Sequence, residues 1–233
     1  MKAMILCAGY GKRLNPITLN CPKPLLKIDN ETLLSRTLKL LKSYGINQIV
    51  INVHYLSEQI IEYVNKNKFD LNITVIEEKN EILNTGGGVL NAISNFSNEP
   101  FLIVNPDTIW NLHYLEELKI MKKIFSSNKN SKCCMLVVNK KKSFDQNFTG
   151  DFNLENNLIS RKSKSGLQYI YTGLQIIHPK AFSSLNSKIF SMNVIWDQLI
   201  KSNELYGVES NIDFFHVSTI DIYKKLLKNL NIK

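Results

Sequence analysis

The chain has 233 residues, 44% of them apolar, and carries 29 Lys and Arg against 20 Asp and Glu, a net charge of +9. That length buries a sizeable core and reads as one domain, 1–233, and no segment approaches the ~18 consecutive apolar residues of a membrane span. The short apolar run after Lys2 enters a glycine loop, so no signal peptide is read, and the dispersed lysines lack the aromatic-interleaved basic patch that a nucleic-acid partner would call for.

Residues 3–7 read as a buried strand. It breaks into Gly9-Tyr10-Gly11-Lys12-Arg13, and Lys23 follows between Pro22 and Pro24. Apolar residues at helical spacing predict a helix over 32–44, stopped by Gly45. A strand is expected over 48–53, then a helix over 56–65 with Ser57 as its cap. Strand 73–77 precedes a helix over 87–96, opened by the loop Thr85-Gly86-Gly87-Gly88. Strand 101–105, helix 112–125 and strand 133–138 continue the alternation. This rhythm predicts a mostly parallel, doubly wound sheet covered by helices. Short strands over 150–154, 158–161 and 169–178 then suggest an antiparallel insertion beside it. A helix over 191–202, short strands over 205–208 and 214–217, and a helix over 221–229 close the chain. Cys133 and Cys134 fall in a strand and should face opposite sides. With Cys7 and Cys21 they show no metal spacing, which fits a reducing cytoplasm.

A buried strand ending in glycines and cations is how an α/β protein offers backbone N–H groups and positive charge to phosphates. Gly9 and Gly11 allow close backbone approach. Arg13 provides a rigid fork of donors for phosphate oxygens, Lys12 adds charge, and the flanking prolines restrict the backbone at Lys23. Leu14 stands where a dinucleotide fingerprint needs its third glycine, and the spacing is not that of a P-loop. Asp107, at the carboxyl end of strand 101–105, lies where α/β sheets bind ligands and suits a hard divalent cation. His54 and Tyr55 follow a strand and either line that crevice or pack within it. Trp110 and Trp196 read as packing residues, and Lys140-Lys141-Lys142 as a solvated loop.

The stretch Ala8-Gly9-Tyr10-Gly11-Lys12-Arg13-Leu14 with Pro22-Lys23-Pro24-Leu25 resembles the signature of the sugar-1-phosphate nucleotidyltransferases. Glu81-Ile82-Leu83-Asn84-Thr85-Gly86-Gly87-Gly88 resembles the glycine segment that abuts the nucleobase. Asn105-Pro106-Asp107 stands where the family has N-G-D, and Tyr171-Thr172-Gly173 resembles its sugar segment. Gly150-Asp151-Phe152 is similar to an element of the short branch that acts on N-acetylmuramate 1-phosphate in cell-wall sugar recycling.

The resemblance implies a Rossmann-like α/β fold with helices on both faces, a small antiparallel insertion and a sugar-binding lobe near 139–180. It implies a nucleoside triphosphate and a sugar 1-phosphate as substrates, UTP and N-acetylmuramate 1-phosphate first among them, handled by a monomer or small homo-oligomer. Arg13, Lys23 and Asp107 would be catalytic. Ala8, Gly9, Gly11, Lys12, Arg13, Lys23, Glu81, Thr85 and Gly86 would hold the nucleotide, and Asn105, Gly150, Asp151, Thr172 and Gly173 the sugar. Asp107 would bind Mg²⁺ or Mn²⁺. His216, in Phe214-Phe215-His216-Val217-Ser218-Thr219, replaces the family's second acid as a metal ligand, a phosphate donor or a structural residue. Mannose-1-phosphate guanylyl transfer, another sugar- or alcohol-phosphate specificity, or a regulatory nucleotide-sugar-binding protein without turnover are the alternatives.

Overall fold

The computed structural model describes residues 1–163, 166–183, 185 and 187–229. Strand β1 (Ala3–Leu6) leads through three short 3-10 turns to the small hairpin β2 (Lys27–Ile28) and β3 (Glu31–Thr32). Then come α1 (Leu33–Ser43), β4 (Gln48–Val53), α2 (Ser57–Lys66), β5 (Asn72–Glu77), α3 (Asn84–Ala92), β6 (Phe101–Val104), α4 (Tyr114–Ser127) and β7 (Cys133–Asn139). The chain continues as β8 (Asn153–Glu155), β9 (Leu158–Ser160), β10 (Tyr169–Ile177), α5 (Met192–Lys201), β11 (Leu205–Ser210) and α6 (Ile220–Asn229). Among the described residues no helix is long and apolar enough to cross a membrane.

The large sheet has the order β5-β4-β1-β6-β10-β7-β11-β9-β8. β5, β4, β1 and β6 are mutually parallel, as are β7 and β11. β1, β4, β6 and β7 carry the apolar runs expected of strands buried on both faces, while β5 at the edge is partly exposed. One face packs on α1, α2 and α4 through Leu34, Ile60 and Leu118. The other packs on α3 and α5 through Val89, Ala92 and Ile195. Cys133 and Cys134 divide between these two cores, as strand alternation requires.

Three local expectations change. β10 does not lie beside the sheet. It enters the middle, antiparallel between β6 and β7, and only the β8–β9 hairpin extends the edge. Apolar pattern reveals burial but not strand order, so the sequence left this open. Ser57 is not the cap of α2: Leu56 takes that place with φ 49°, and the Ser57 hydroxyl donates to Glu77 Oε1 at 2.7 Å. The glycine segment 86–88 is not a loop but the first turns of α3. A Cβ on Gly86 would meet the Phe190 ring at 2.4 Å, and one on Gly87 the Lys188 carbonyl at 2.1 Å. The Gly86 and Gly87 N–H groups both donate to the Phe190 carbonyl, at 2.9 and 3.0 Å. These glycines let α3 touch the chain entering α5.

Candidate active site

The carboxyl ends of β1, β4 and β6 open onto one cleft of about 380 Å³. Ala8, Gly9, Gly11, Lys12, Arg13, Lys23, Thr85, Asn105 and Asp107 all line it. Gly86 does not, because it is buried against Phe190.

The cationic loop is held from behind. Leu14 is buried with Leu26, Ile28 and Leu33 against Ile222, Tyr223 and Leu226 of α6. The Thr18 hydroxyl donates to the Gly11 carbonyl at 3.0 Å. Leu14 therefore anchors a turn whose next-door side chains, Lys12 and Arg13, stay exposed. The Lys12 ammonium lies 5.0 Å from the Tyr10 ring centroid, and neither side chain has an ion pair among the described residues. Tyr10 packs on Tyr55 and accepts or donates a 3.3 Å contact with His54 Nε2, while His54 Nδ1 lies 2.5 Å from the Glu78 carbonyl. His54 and Tyr55 thus brace the loop from outside.

Lys23 differs from its neighbours. Its Nζ lies 2.5 Å from Asp107 Oδ2, and His216 Nε2 lies 3.0 Å from the same oxygen. Burial by itself would push the Asp107 carboxyl up, but the Lys23 charge, then the His216 charge and the hydrogen bonds of both, hold it well below the usual carboxylate range. Asp107 Oδ1 is buried without a partner. A hard carboxylate oxygen without a partner among the described residues, on a residue that lines the cleft, fits Mg²⁺, which keeps several waters and takes phosphate oxygens for the rest. Among the described residues no group of three His, Cys, Asp or Glu could enclose a metal. Cys7 lines the cleft, yet burial and secondarily Asp107 push its thiol far up, which disfavours the thiolate.

Two residues of this edge were missed. Asn52 and Glu78 are 3% exposed each. Asn52 Oδ1 accepts from Cys7 N at 3.1 Å, and its amide donates to Glu78 Oε1 at 2.7 Å. Glu78 Oε2 accepts from Leu83 N at 2.8 Å, fixing the approach to α3. A polar Asn inside the apolar run 49–53 was the available signal. Glu81, singled out instead, is exposed and does not line the cleft.

On the opposite side β10 delivers Thr172 and Gly173. Gly173 has φ +94°, and a Cβ there would lie 2.8 Å from Asn105 Cβ. Its carbonyl accepts from Asn105 N at 2.7 Å, and the Trp110 indole donates to the Asn105 carbonyl at 2.8 Å. The Asn105 side chain is thereby left facing the cleft. The Thr172 hydroxyl donates to Leu136 O at 2.9 Å, and Asp151 Oδ2 accepts from Tyr171 N at 2.9 Å. Gly150, with φ +89°, sits against the Leu167 carbonyl. Gly150, Asp151, Thr172 and Gly173 do not line the cleft in this form.

A glycine-lipped cleft at the carboxyl end of a parallel sheet, with free cations on one wall and a cation-paired aspartate on the other, defines an α/β enzyme built for phosphoryl chemistry. The chain belongs to the nucleotidyl transferase family, whose model matches residues 2–145. It is 26% identical to the N-acetylmuramate alpha-1-phosphate uridylyltransferase of Caulobacter vibrioides over 92% of this chain and 90% of that one. It is 30% identical to the enzyme of the same name from Neisseria meningitidis serogroup B over 80% and 79%. The crystal structure of HddC from Yersinia pseudotuberculosis complexed with GMP-PN shares the fold, with a TM-score of 0.74 and 21% identity over 97% of this chain and 98% of that one. The resemblance of the sequence motifs to the sugar-1-phosphate nucleotidyltransferases, and the fold that it implied, both hold.

Proposed function

We propose that this enzyme joins UTP to N-acetylmuramate 1-phosphate, forming the UDP-sugar and releasing pyrophosphate. The reading is carried by the two uridylyltransferase relatives, matched along 92% and 80% of this chain. An anionic oxygen of the sugar phosphate attacks the α-phosphorus of UTP, and the bond to the β-phosphate breaks with both electrons leaving on pyrophosphate. The attacking oxygen is already ionised, so no side chain must take its proton. Catalysis reduces to positioning and charge. Arg13, which lines the cleft and has no ion pair among the described residues, receives the β- and γ-phosphates. Lys23 leaves Asp107 for the α-phosphoryl oxygens. Asn105 faces the sugar and its phosphate from β6, with Gly173 giving it room, and the base lies along the edge fixed by Asn52, Glu78 and Thr85. Asp107 would hold a divalent cation, Mg²⁺ or Mn²⁺, which when bound would neutralise triphosphate charge. The segment near 139–180 supplies the sugar side.

A pyrophosphate-release panel of four nucleoside triphosphates against N-acetylmuramate, mannose, glucose and heptose 1-phosphates, with Mg²⁺, tests this. UTP with N-acetylmuramate 1-phosphate should give the highest kcat/KM. A higher value for GTP with mannose 1-phosphate would replace the substrate assignment. Nucleotide binding without any pyrophosphate release would make the protein a binding subunit.

A further inference from the structure

Asn52 and Glu78 form a short relay with a peptide donor at each end. The Cys7 N–H donates to Asn52 Oδ1 at 3.1 Å, the Asn52 amide donates to Glu78 Oε1 at 2.7 Å, and the Leu83 N–H donates to Glu78 Oε2 at 2.8 Å. A peptide N–H can only donate, so the polarity of every link is dictated from both ends. One side chain must offer an acceptor and a donor, and the other two acceptors; a carboxylate beside an amide does this, and two amides do not. Gly88 gives the link its space, since a Cβ there would lie 2.7 Å from both Asn52 Nδ2 and Glu78 Oε1. The Glu78 N–H donates to the Val53 carbonyl at 2.8 Å, which fixes its backbone too. Both residues are 3% exposed, and neither has an ion pair among the described residues. An apolar pair of the same size would pack this space without the cost of a buried polar link. What the relay adds to packing is a fixed distance between the two segments at its ends.

Those segments belong to the cleft. Cys7 and Ala8 follow β1, while Ile82, Asn84 and Thr85 lead into α3, and all five line it together with Asn52. This part of the lining is uncharged, unlike Lys12, Arg13, Lys23 and Asp107. We infer that Asn52 and Glu78 are positioning residues for base selection: the relay locks residues 7–8 and 82–85 at one spacing, so that their peptide groups register with the edge of one nucleobase and mismatch the others. Hydrogen bonds are steep in distance and angle, so a loosened spacing blurs the choice between bases. Phosphates are held by charge at the glycine loop, which does not need that registration. This rests on the reading of the cleft as a nucleoside triphosphate site with its base at the uncharged part.

The test is the affinity of the intact chain for ATP, CTP, GTP, UTP and inorganic tripolyphosphate, which has no base, by titration calorimetry with Mg²⁺. The parent should prefer one base. Glu78→Gln keeps the size but offers one acceptor where two are needed. It should reduce that preference about tenfold and leave tripolyphosphate affinity within about twofold. Asn52→Asp by itself sets two carboxylates side by side and should lose the preference as well. The double variant, Asn52→Asp with Glu78→Gln, exchanges the two roles, satisfies every link again and should regain the parent's preference. Equal parent affinity for all four nucleotides, an unchanged preference in Glu78→Gln, or an equal loss for tripolyphosphate would overturn the inference. So would a double variant that fails to fold or lacks the parent's preference, and this decides even if neither single variant folds. Calorimetry needs no turnover, so selective binding without pyrophosphate release would sink the assigned reaction and leave this inference standing.

Discussion

The glycine-loop wall of the cleft and the β10 wall beside it, which does not line the cleft in this form, use polar side chains in contrasting ways. On the glycine-loop wall, Lys12 and Arg13 are exposed and free of ion pairs among the described residues. On the β10 wall, the Thr172 hydroxyl and the Asp151 carboxylate are already bonded to the backbone of the chain itself. Under the proposed function, the difference follows from what each wall would meet. A triphosphate carries several charges, so exposed cations can wait in water and be engaged on arrival at little desolvation cost. A sugar is neutral over most of its surface and is read by shape and by a few hydrogen bonds. The wall facing it must be rigid, and rigidity comes from polar side chains that brace the backbone. Lys23 stands between the two regimes: a cation held on an internal anion until a substrate competes for it.

The contrast can be broken most severely on the charged wall. Arg13→Ala and Asp107→Ala should each lower the rate of pyrophosphate release by about 10²-fold or more, as expected for losing one preorganised charge group, with melting temperature near that of the parent for Arg13→Ala. Parent-like rates in either variant would remove that wall from the chemistry.

Next come the glycines. Gly87→Ala forces a Cβ to 2.1 Å from the Lys188 carbonyl, whereas a Cβ on Gly9 meets nothing within 4 Å. The first substitution should destabilise by about 2–3 kcal/mol, seen in urea unfolding. The second should leave unfolding nearly unchanged and raise KM for the triphosphate. If the two behave alike, the distinction between a packing glycine and a phosphate-facing glycine is wrong.

A smaller effect is expected from Thr172→Val, which keeps the shape and removes the hydroxyl bonded to Leu136 O. The loss should be about 1 kcal/mol of stability. At a temperature where the variant is folded, KM for the sugar phosphate should move by no more than about threefold, since a brace is lost rather than a substrate contact. A large selective rise in that KM would mean the hydroxyl turns to the sugar when it binds.

The smallest change concerns the scaffold below the β10 wall. Glu117 is 7% exposed, and its Oε1 accepts from Ser210 Oγ at 2.8 Å and Asn211 N at 3.0 Å. Burial raises its carboxyl above the ordinary value, against the opposing pull of Ser210, the Asn211 and Ile212 N–H groups and Lys142. The folded state therefore holds this proton more tightly than the unfolded chain. Its stabilising effect is complete below the ordinary glutamate pKa and is lost as pH rises through the raised one. Glu117→Gln should leave stability little changed at acid pH and raise it at neutral pH, by less than any of the effects above. A parent and variant with parallel stability–pH curves would contradict this.

Much of this was legible in the chain. The alternation of strand and helix patterns located nearly every element of the parallel half, because buried parallel strands are continuous apolar runs and the helices between them are amphipathic. The glycine loop, Arg13 and Lys23 were legible as one cleft-lining stretch because they lie close together after a single strand, and Asp107 because it stands just past the end of another, β6. Asn52 and Glu78 were harder to find, since each gains meaning only from a neighbour on another strand. Glu81 was the more conspicuous acid and is exposed.

What the sequence by itself determined was therefore local: the apolar runs, the loop chemistry and the polyphosphate they serve. Only the tertiary structure decided that β10 runs antiparallel through the middle of the sheet and brings Gly173 against Asn105. It also decided that Gly86 and Gly87 give clearance to Phe190 and Lys188, and that Lys23 and His216 converge on one oxygen of Asp107. Residues 23, 107 and 216 are far apart along the chain, and no periodicity within a segment specifies which strands become neighbours. Their meeting follows from sheet order and backbone pairing, where the energy of burial is shared among many residues and no short motif encodes it.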